Sequence, residues 1–164
     1  MVNGKYTWRG GFCLEVAPVP NTIAIFGASG DLACRKLIPA LFQLFKRGLL
    51  HEQSRIVGCA RSPLNDESYH ALIARWIRAE RGELEEFLRR VHYAAGEYDD
   101  PEFYRKIGNV LDQAEREAGG EPGAFGRIFY LAMPSSLYSG IVSRLGESGL
   151  TREDPSGIPW RHVI

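Results

Sequence analysis

Thr22-Ile-Ala-Ile-Phe-Gly-Ala-Ser-Gly-Asp-Leu-Ala-Cys-Arg-Lys-Leu-Ile-Pro-Ala-Leu41 decides the fold. An apolar, β-branched run from Ile23 to Phe26 ends at Gly27. A second glycine follows at position 30, and an amphipathic run begins at once. That is the order strand, glycine turn, helix. The small residues fall as G-x-x-G-x-x-A at Gly27, Gly30 and Ala33. Gly27 turns the strand sharply, Gly30 admits a pyrophosphate without a Cβ in the way, and Ala33 lets the helix pack close to the sheet. The free N–H groups and positive dipole end of the helix then face the phosphates. The turn Gly27, Ala28, Ser29, Gly30, Asp31 and Leu32 is therefore the predicted dinucleotide cradle.

Working outward, the first strand covers about Thr22 to Phe26 and is nearly all apolar, as a parallel strand covered on both faces should be. The helix runs from about Asp31 to Arg47, with Leu37, Ala40, Leu41, Leu44 and Phe45 as its apolar stripe and Gly48 as its stop. A second strand spans about Arg55 to Cys59 and exits through Ala60-Arg61-Ser62. In a doubly wound sheet this exit meets the adenosine ribose, where an NAD site usually places a carboxylate. Here stand an arginine and a hydroxyl. A guanidinium binds a 2′-phosphate through directed, charge-assisted bonds. At about 1.5–3 kcal/mol for such bonds, Arg61 favours NADP over NAD by roughly one to two powers of ten. Arg61 and Ser62 are thus the predicted phosphate readers.

The rest of the chain continues the alternation. Tyr69, Leu72, Ile73, Trp76 and Ile77 repeat at helical spacing, and Leu84, Phe87, Leu88 and Val91 form a further short helix after Gly82. Val91 to Ala95 is a third strand. Pro101, with an acid before it, opens a helix lined by Phe103, Tyr104, Ile107, Val110, Leu111 and Ala114. Arg127 to Met133 is a fourth strand. Pro134-Ser-Ser136 caps a helix carrying Leu137, Ile141, Val142 and Leu145, and Trp160 to Ile164 begins a fifth strand. The fold class expected is α/β: a Rossmann-like, doubly wound, mostly parallel sheet with helices on both faces, incomplete at its C-terminal end. Residues 1–20 read as a leader segment that lacks order, and 21–164 as the NADP-binding domain.

Composition narrows the partners. The 164 residues carry a formal net charge of zero, so nothing points to nucleic acid or an anionic membrane. No apolar run approaches the roughly 20 residues that span a bilayer, and no signal peptide is read at the N-terminus. Cys13, Cys34 and Cys59 are odd in number and lack metal-ligand spacing, which suits reduced thiols in the cytoplasm and no metal.

Gly27 to Ala33, then Arg35-Lys-Leu-Ile-Pro-Ala-Leu41 and Gly48-Leu-Leu50, closely resemble the N-terminal coenzyme domain of the glucose-6-phosphate dehydrogenase family. Ile56-Val-Gly-Cys-Ala-Arg-Ser62, Phe129-Tyr-Leu-Ala-Met-Pro134 with Tyr138, and Trp160-Arg-His-Val-Ile164 fit the same family in order. The resemblance implies oxidation of D-glucose 6-phosphate to 6-phosphogluconolactone with NADP, in a cytoplasmic homo-oligomer of the pentose phosphate pathway. It implies that Met133, Pro134 and Tyr138 border the coenzyme, although Ser135 stands where the family more often has a second proline. Lys36 matches a family lysine on the nicotinamide and substrate side. Pro39 recurs in the family, so a local helix distortion is expected there rather than a break. The family's catalytic histidine and most of its sugar-phosphate site belong to a second, larger domain. His51, His70, His92 and His162 lack that histidine's sequence context, so no catalytic residue is assigned in this chain. The expectation is a coenzyme domain that binds NADP weakly and turns over no sugar.

Two other readings compete. Short-chain reductases and nucleotide-sugar epimerases share the glycine turn but work through a tyrosine with a lysine four residues on. None of the seven tyrosines here has one. The other is a non-catalytic NADP-binding sensor or interaction module.

Overall fold

The computed structural model describes residues 19–153 and 155–164. The predicted leader, apart from its last two residues, and Cys13 lie outside the described residues. Five strands form one sheet: β1 (Asn21–Phe26), β2 (Arg55–Ala60), β3 (Val91–Ala95), β4 (Gly126–Leu131) and β5 (Arg161–Val163). Their order is β3-β2-β1-β4-β5, and every pairing is parallel. The helices are α1 (Ile38–Lys46), α2 (Asp66–Ala74), α3 (Arg81–Leu88), α4 (Pro101–Glu117) and α5 (Tyr138–Glu147).

Alternation along the strands splits the core in two. Ile25, Ile56, Val91 and Tyr93 meet Ile38 and Phe42 of α1, Tyr69 and Ile73 of α2, and Phe87 of α3. Ala24, Phe26, Val57 and Cys59 meet Phe103, Tyr104, Ile107 and Leu111 of α4, with Ile141 and Leu145 of α5. Both faces of the sheet are covered, so the central strands are mostly apolar, as expected from the sequence. The chain runs outward from β1 to β3 and then crosses back to β4. The carboxyl ends of β1 and β4 therefore flank the point where strand order reverses, which is where such sheets bind ligands.

Pro39 explains the entry into α1. A π turn spans Ala33–Leu37, and Ile38 N–H bonds to Ala33 O, five residues back. The wider turn leads into Pro39, which lacks an N–H and crowds the carbonyl four residues before it. This is the local distortion expected.

Several sequence expectations need correction. Ala40 and Leu44 are exposed, whereas Ile38 and Phe42 are fully buried. The helix is apolar on adjacent stripes, and periodicity alone cannot choose between them. Trp76 lies beyond the end of α2 and is 45% exposed. Its ring supports Arg35, 5.2 Å from the guanidinium, instead of joining the core. β4 ends at Leu131, two residues early, before Pro134 and a 3₁₀ turn at Ser135–Leu137. No serine side chain caps that turn or α5, and Leu137 and Val142 are exposed.

A buried ion pair braces the amino ends of the strands. Arg127 Nε donates to Glu115 Oε1 at 2.7 Å, and Arg127 Nη2 to Asp112 Oδ1 at 2.6 Å. Glu115 is wholly buried and also accepts from Thr22 Oγ1 at 3.3 Å and from Gly123 N–H. One carboxylate thus ties α4 to β1, β4 and the loop before β4.

Candidate functional site

A crevice of about 550 Å³ opens over the carboxyl ends of four strands. Gly27, Ser29, Gly30 and Asp31 line it after β1, and Ala60, Arg61 and Ser62 at the end of β2. Glu97 and Tyr98 follow β3; Ala132, Met133, Pro134 and Leu137 follow β4.

Gly27 must be glycine. Its φ is +80°, and a Cβ there would lie 2.6 Å from Ala132 O. The close approach brings the ends of β1 and β4 together, with Ala132 N–H bonded to Phe26 O at 2.9 Å, while Gly27 N–H bonds to Cys59 O of β2 at 2.8 Å. Gly30 has an ordinary φ. Apart from its chain neighbours, a Cβ on it would meet one protein atom, Gly27 O at 3.0 Å. Its missing side chain therefore relieves that tight contact and leaves space in the crevice. Ala33 is fully buried behind it, as close helix–sheet packing requires.

Hydroxyls and one guanidinium furnish the β2 side. Ser29 Oγ and Ser62 Oγ are 2.8 Å apart. Tyr93 Oη donates to Ser62 O at 3.0 Å from beneath. Burial pushes the Tyr93 phenol up to about 12, and the Ser29 and Ser62 hydrogen bonds act the other way. Arg61 is exposed, its guanidinium 5.7 Å from the centre of the Tyr98 ring. The Tyr98 phenol is also raised by burial, with the Gly27 backbone and the Arg61 charge opposing that shift.

Eight of the residues singled out in the sequence share this crevice: Gly27, Ser29, Gly30, Asp31, Arg61, Ser62, Met133 and Pro134. Four others lie elsewhere. Ala28 is fully buried, and its carbonyl accepts from Tyr69 Oη at 3.3 Å and Cys34 Sγ at 3.4 Å. Leu32 and Lys36 are exposed outside the lining. Tyr138 is 36% exposed, and its hydroxyl donates to Leu131 O at 3.1 Å, which braces the end of β4. Sequence reasoning passed over Glu97 and Tyr98. The carboxyl-end rule applied to β3, as it was to β2 and β4, would have found them.

The donor set can serve the phosphates of a dinucleotide. The glycine turn leaves an open face beside the first amides of a helical run, and no acid stands among Ala60, Arg61 and Ser62 at the end of β2. Ser29, Ser62 and Arg61 can all donate to phosphate oxygens. Among the described residues, no group of His, Cys, Asp and Glu could hold a metal ion.

Residues 24–164 match the family described as "Glucose-6-phosphate dehydrogenase, NAD binding domain". The chain is 38% identical over 134 residues to the glucose-6-phosphate 1-dehydrogenase of Kluyveromyces lactis, a match covering 78% of this chain and 26% of that protein. It is 32% identical over 174 aligned positions to glucose-6-phosphate 1-dehydrogenase 6, cytoplasmic, of Arabidopsis thaliana, covering 99% of this chain and 33% of that protein. A solved glucose-6-phosphate dehydrogenase in complex with its substrate glucose 6-phosphate superposes with a TM-score of 0.74 at 34% identity. That match covers 87% of this chain and 29% of the other. The chain therefore spans about a quarter to a third of the length of the curated relatives it matches.

Proposed function

The chain belongs to the glucose-6-phosphate dehydrogenase family, and we propose that it is the coenzyme-binding domain of an enzyme that oxidises D-glucose 6-phosphate to 6-phosphogluconolactone with NADP. The observation that carries this reading is the placing of Arg61 and Ser62 in one crevice with the glycine turn Gly27–Gly30.

The bound coenzyme supplies a hydride acceptor for the anomeric carbon of the sugar. The residues here do the holding. The helical amides after Gly30 and the Ser29 hydroxyl take the pyrophosphate. Arg61 and Ser62 take the adenosine 2′-phosphate. Met133 and Pro134, after β4, border the remaining length of the dinucleotide, with Tyr138 fixing their approach through Leu131 O.

Removing a proton from the sugar hydroxyl requires a base within hydrogen-bond reach. The residues lining the crevice include two carboxylates, Asp31 and Glu97, and no histidine. Asp31 is engaged with Arg35 at 3.2 Å, and Glu97 lies on the β3 side with Arg61. These 164 residues alone therefore bind NADP without turning over sugar. A cytoplasmic setting is supported by the name of the Arabidopsis relative and by the free, buried thiols of Cys34 and Cys59. Among the described residues, no helix is long and apolar enough to cross a membrane.

The test is amide NMR with NADP added to the chain, alongside a 340 nm assay with glucose 6-phosphate. Shifts centred on Gly27, Ser29, Gly30, Arg61 and Ser62, with no NADPH formed, are expected. Shifts elsewhere, or sugar-dependent NADPH, would contradict the reading.

A further inference from the structure

We infer that Glu97 sets the coenzyme preference of this site in opposition to Arg61: its carboxylate weakens the hold on a 2′-phosphate and keeps NAD a usable ligand beside NADP. The inference rests on the coenzyme reading above.

Gly96 N–H donates to Ala60 O at 3.1 Å. That bond joins the ends of β3 and β2, so the next residue on each, Glu97 and Arg61, leaves from adjacent strand ends. Both side chains are exposed, and both line the crevice beside Ser62 and Tyr98. The Tyr98 phenol senses the two charges together, Arg61 favouring the phenolate and Glu97 opposing it.

The two carboxylates of the crevice differ in one respect. Asp31 is paired with Arg35, so its charge is balanced in place. Glu97 makes no ion pair among the described residues. A 2′-phosphate carries roughly −1.5 to −2 charges. Held on Arg61, it would stand beside the Glu97 carboxylate and be repelled by it. A 2′-hydroxyl carries no charge and can donate a hydrogen bond to the same carboxylate. The acid thus penalises one coenzyme and spares the other, which is how a site sets a ratio of affinities.

The experiment is calorimetric titration of the whole chain and of Glu97→Gln with NADP and with NAD. Gln keeps the size of the side chain at an exposed position and removes only the charge. NADP binding is expected to tighten by about threefold or more, the scale of one exposed charge pair, while NAD binding stays level or weakens. Binding of both coenzymes with an unchanged ratio would overturn the role of Glu97 and leave the coenzyme reading standing. Binding of neither coenzyme to the unsubstituted chain would overturn both.

Discussion

The hydroxyls of Ser29 and Ser62 lie 2.8 Å apart and bond the glycine turn after β1 to the exit of β2. Tyr93 holds Ser62 from below through its backbone oxygen at 3.0 Å. The glycine turn and the residues proposed to read the ribose are therefore one hydrogen-bonded unit.

Ser62→Ala removes one hydrogen bond, worth about 0.5–1.5 kcal/mol net, and a hydroxyl on the Arg61 side of the crevice. NADP binding is expected to weaken by about two- to tenfold, with NAD binding nearly unchanged. Titration of both coenzymes checks this, and an equal loss for both would place Ser62 away from the 2′-phosphate.

Gly27→Ala puts a side chain on a residue at φ +80° with its Cβ 2.6 Å from Ala132 O. Such backbone strain costs about 1–3 kcal/mol before any clash. Urea denaturation should show a loss of about 2 kcal/mol or more, because the ends of β1 and β4 must separate. An unchanged midpoint would mean the turn tolerates a different backbone.

Glu115 and Arg127 are both buried; without Arg127 the wholly buried Glu115 carboxylate has no cation, whereas without Glu115 the guanidinium keeps Asp112. Arg127→Met should destabilise the chain by about 3–5 kcal/mol, Glu115→Leu by less because Asp112 remains, and the double variant by less than Arg127→Met. Denaturation of the three variants tests this. Additive losses would show that the two side chains act independently.

Alkaline pH should unfold the chain through its tyrosines. Burial, the largest cause in each case, pushes the Tyr93 and Tyr104 phenols up to about 12. The unfolded chain releases these protons near pH ~10. Between those values the folded state binds more protons, so stability is level below the window and falls as pH rises through it. Denaturation midpoints and phenolate absorbance measured across that window check the sign, and Tyr93→Phe should flatten the slope. Phenolate forming near pH ~10 in the folded chain, with no loss of stability, would contradict it.

Much of this was legible in the sequence, for physical reasons. The change from strand to glycine to amphipathic run at Phe26, Gly27 and Gly30 is local, and so is the cap of α4. Asp100 accepts from Glu102 N–H at 2.9 Å, with Pro101 at the first helical position, as expected. The carboxyl-end rule brought Arg61 and Pro134 into one crevice although they are far apart in the chain. What stayed hidden depends on long-range placement. Arg127 and Glu115 belong to different elements, and no local pattern says that those two charges, among so many, are buried together. Trp76 reads as core by spacing but lies past the end of its helix. Tyr138, expected from the resemblance to border the coenzyme, lies outside the crevice lining, and its hydroxyl bonds to the end of β4.

The central claim, that Arg61 reads a 2′-phosphate beside a glycine cradle, is tested most directly by calorimetric titration of the chain with NADP and NAD, before and after Arg61→Ala. NADP should bind more tightly than NAD by about tenfold, and the gap should close in the variant. Equal affinity for the two coenzymes in the unsubstituted chain, or a gap that survives the substitution, would contradict the claim.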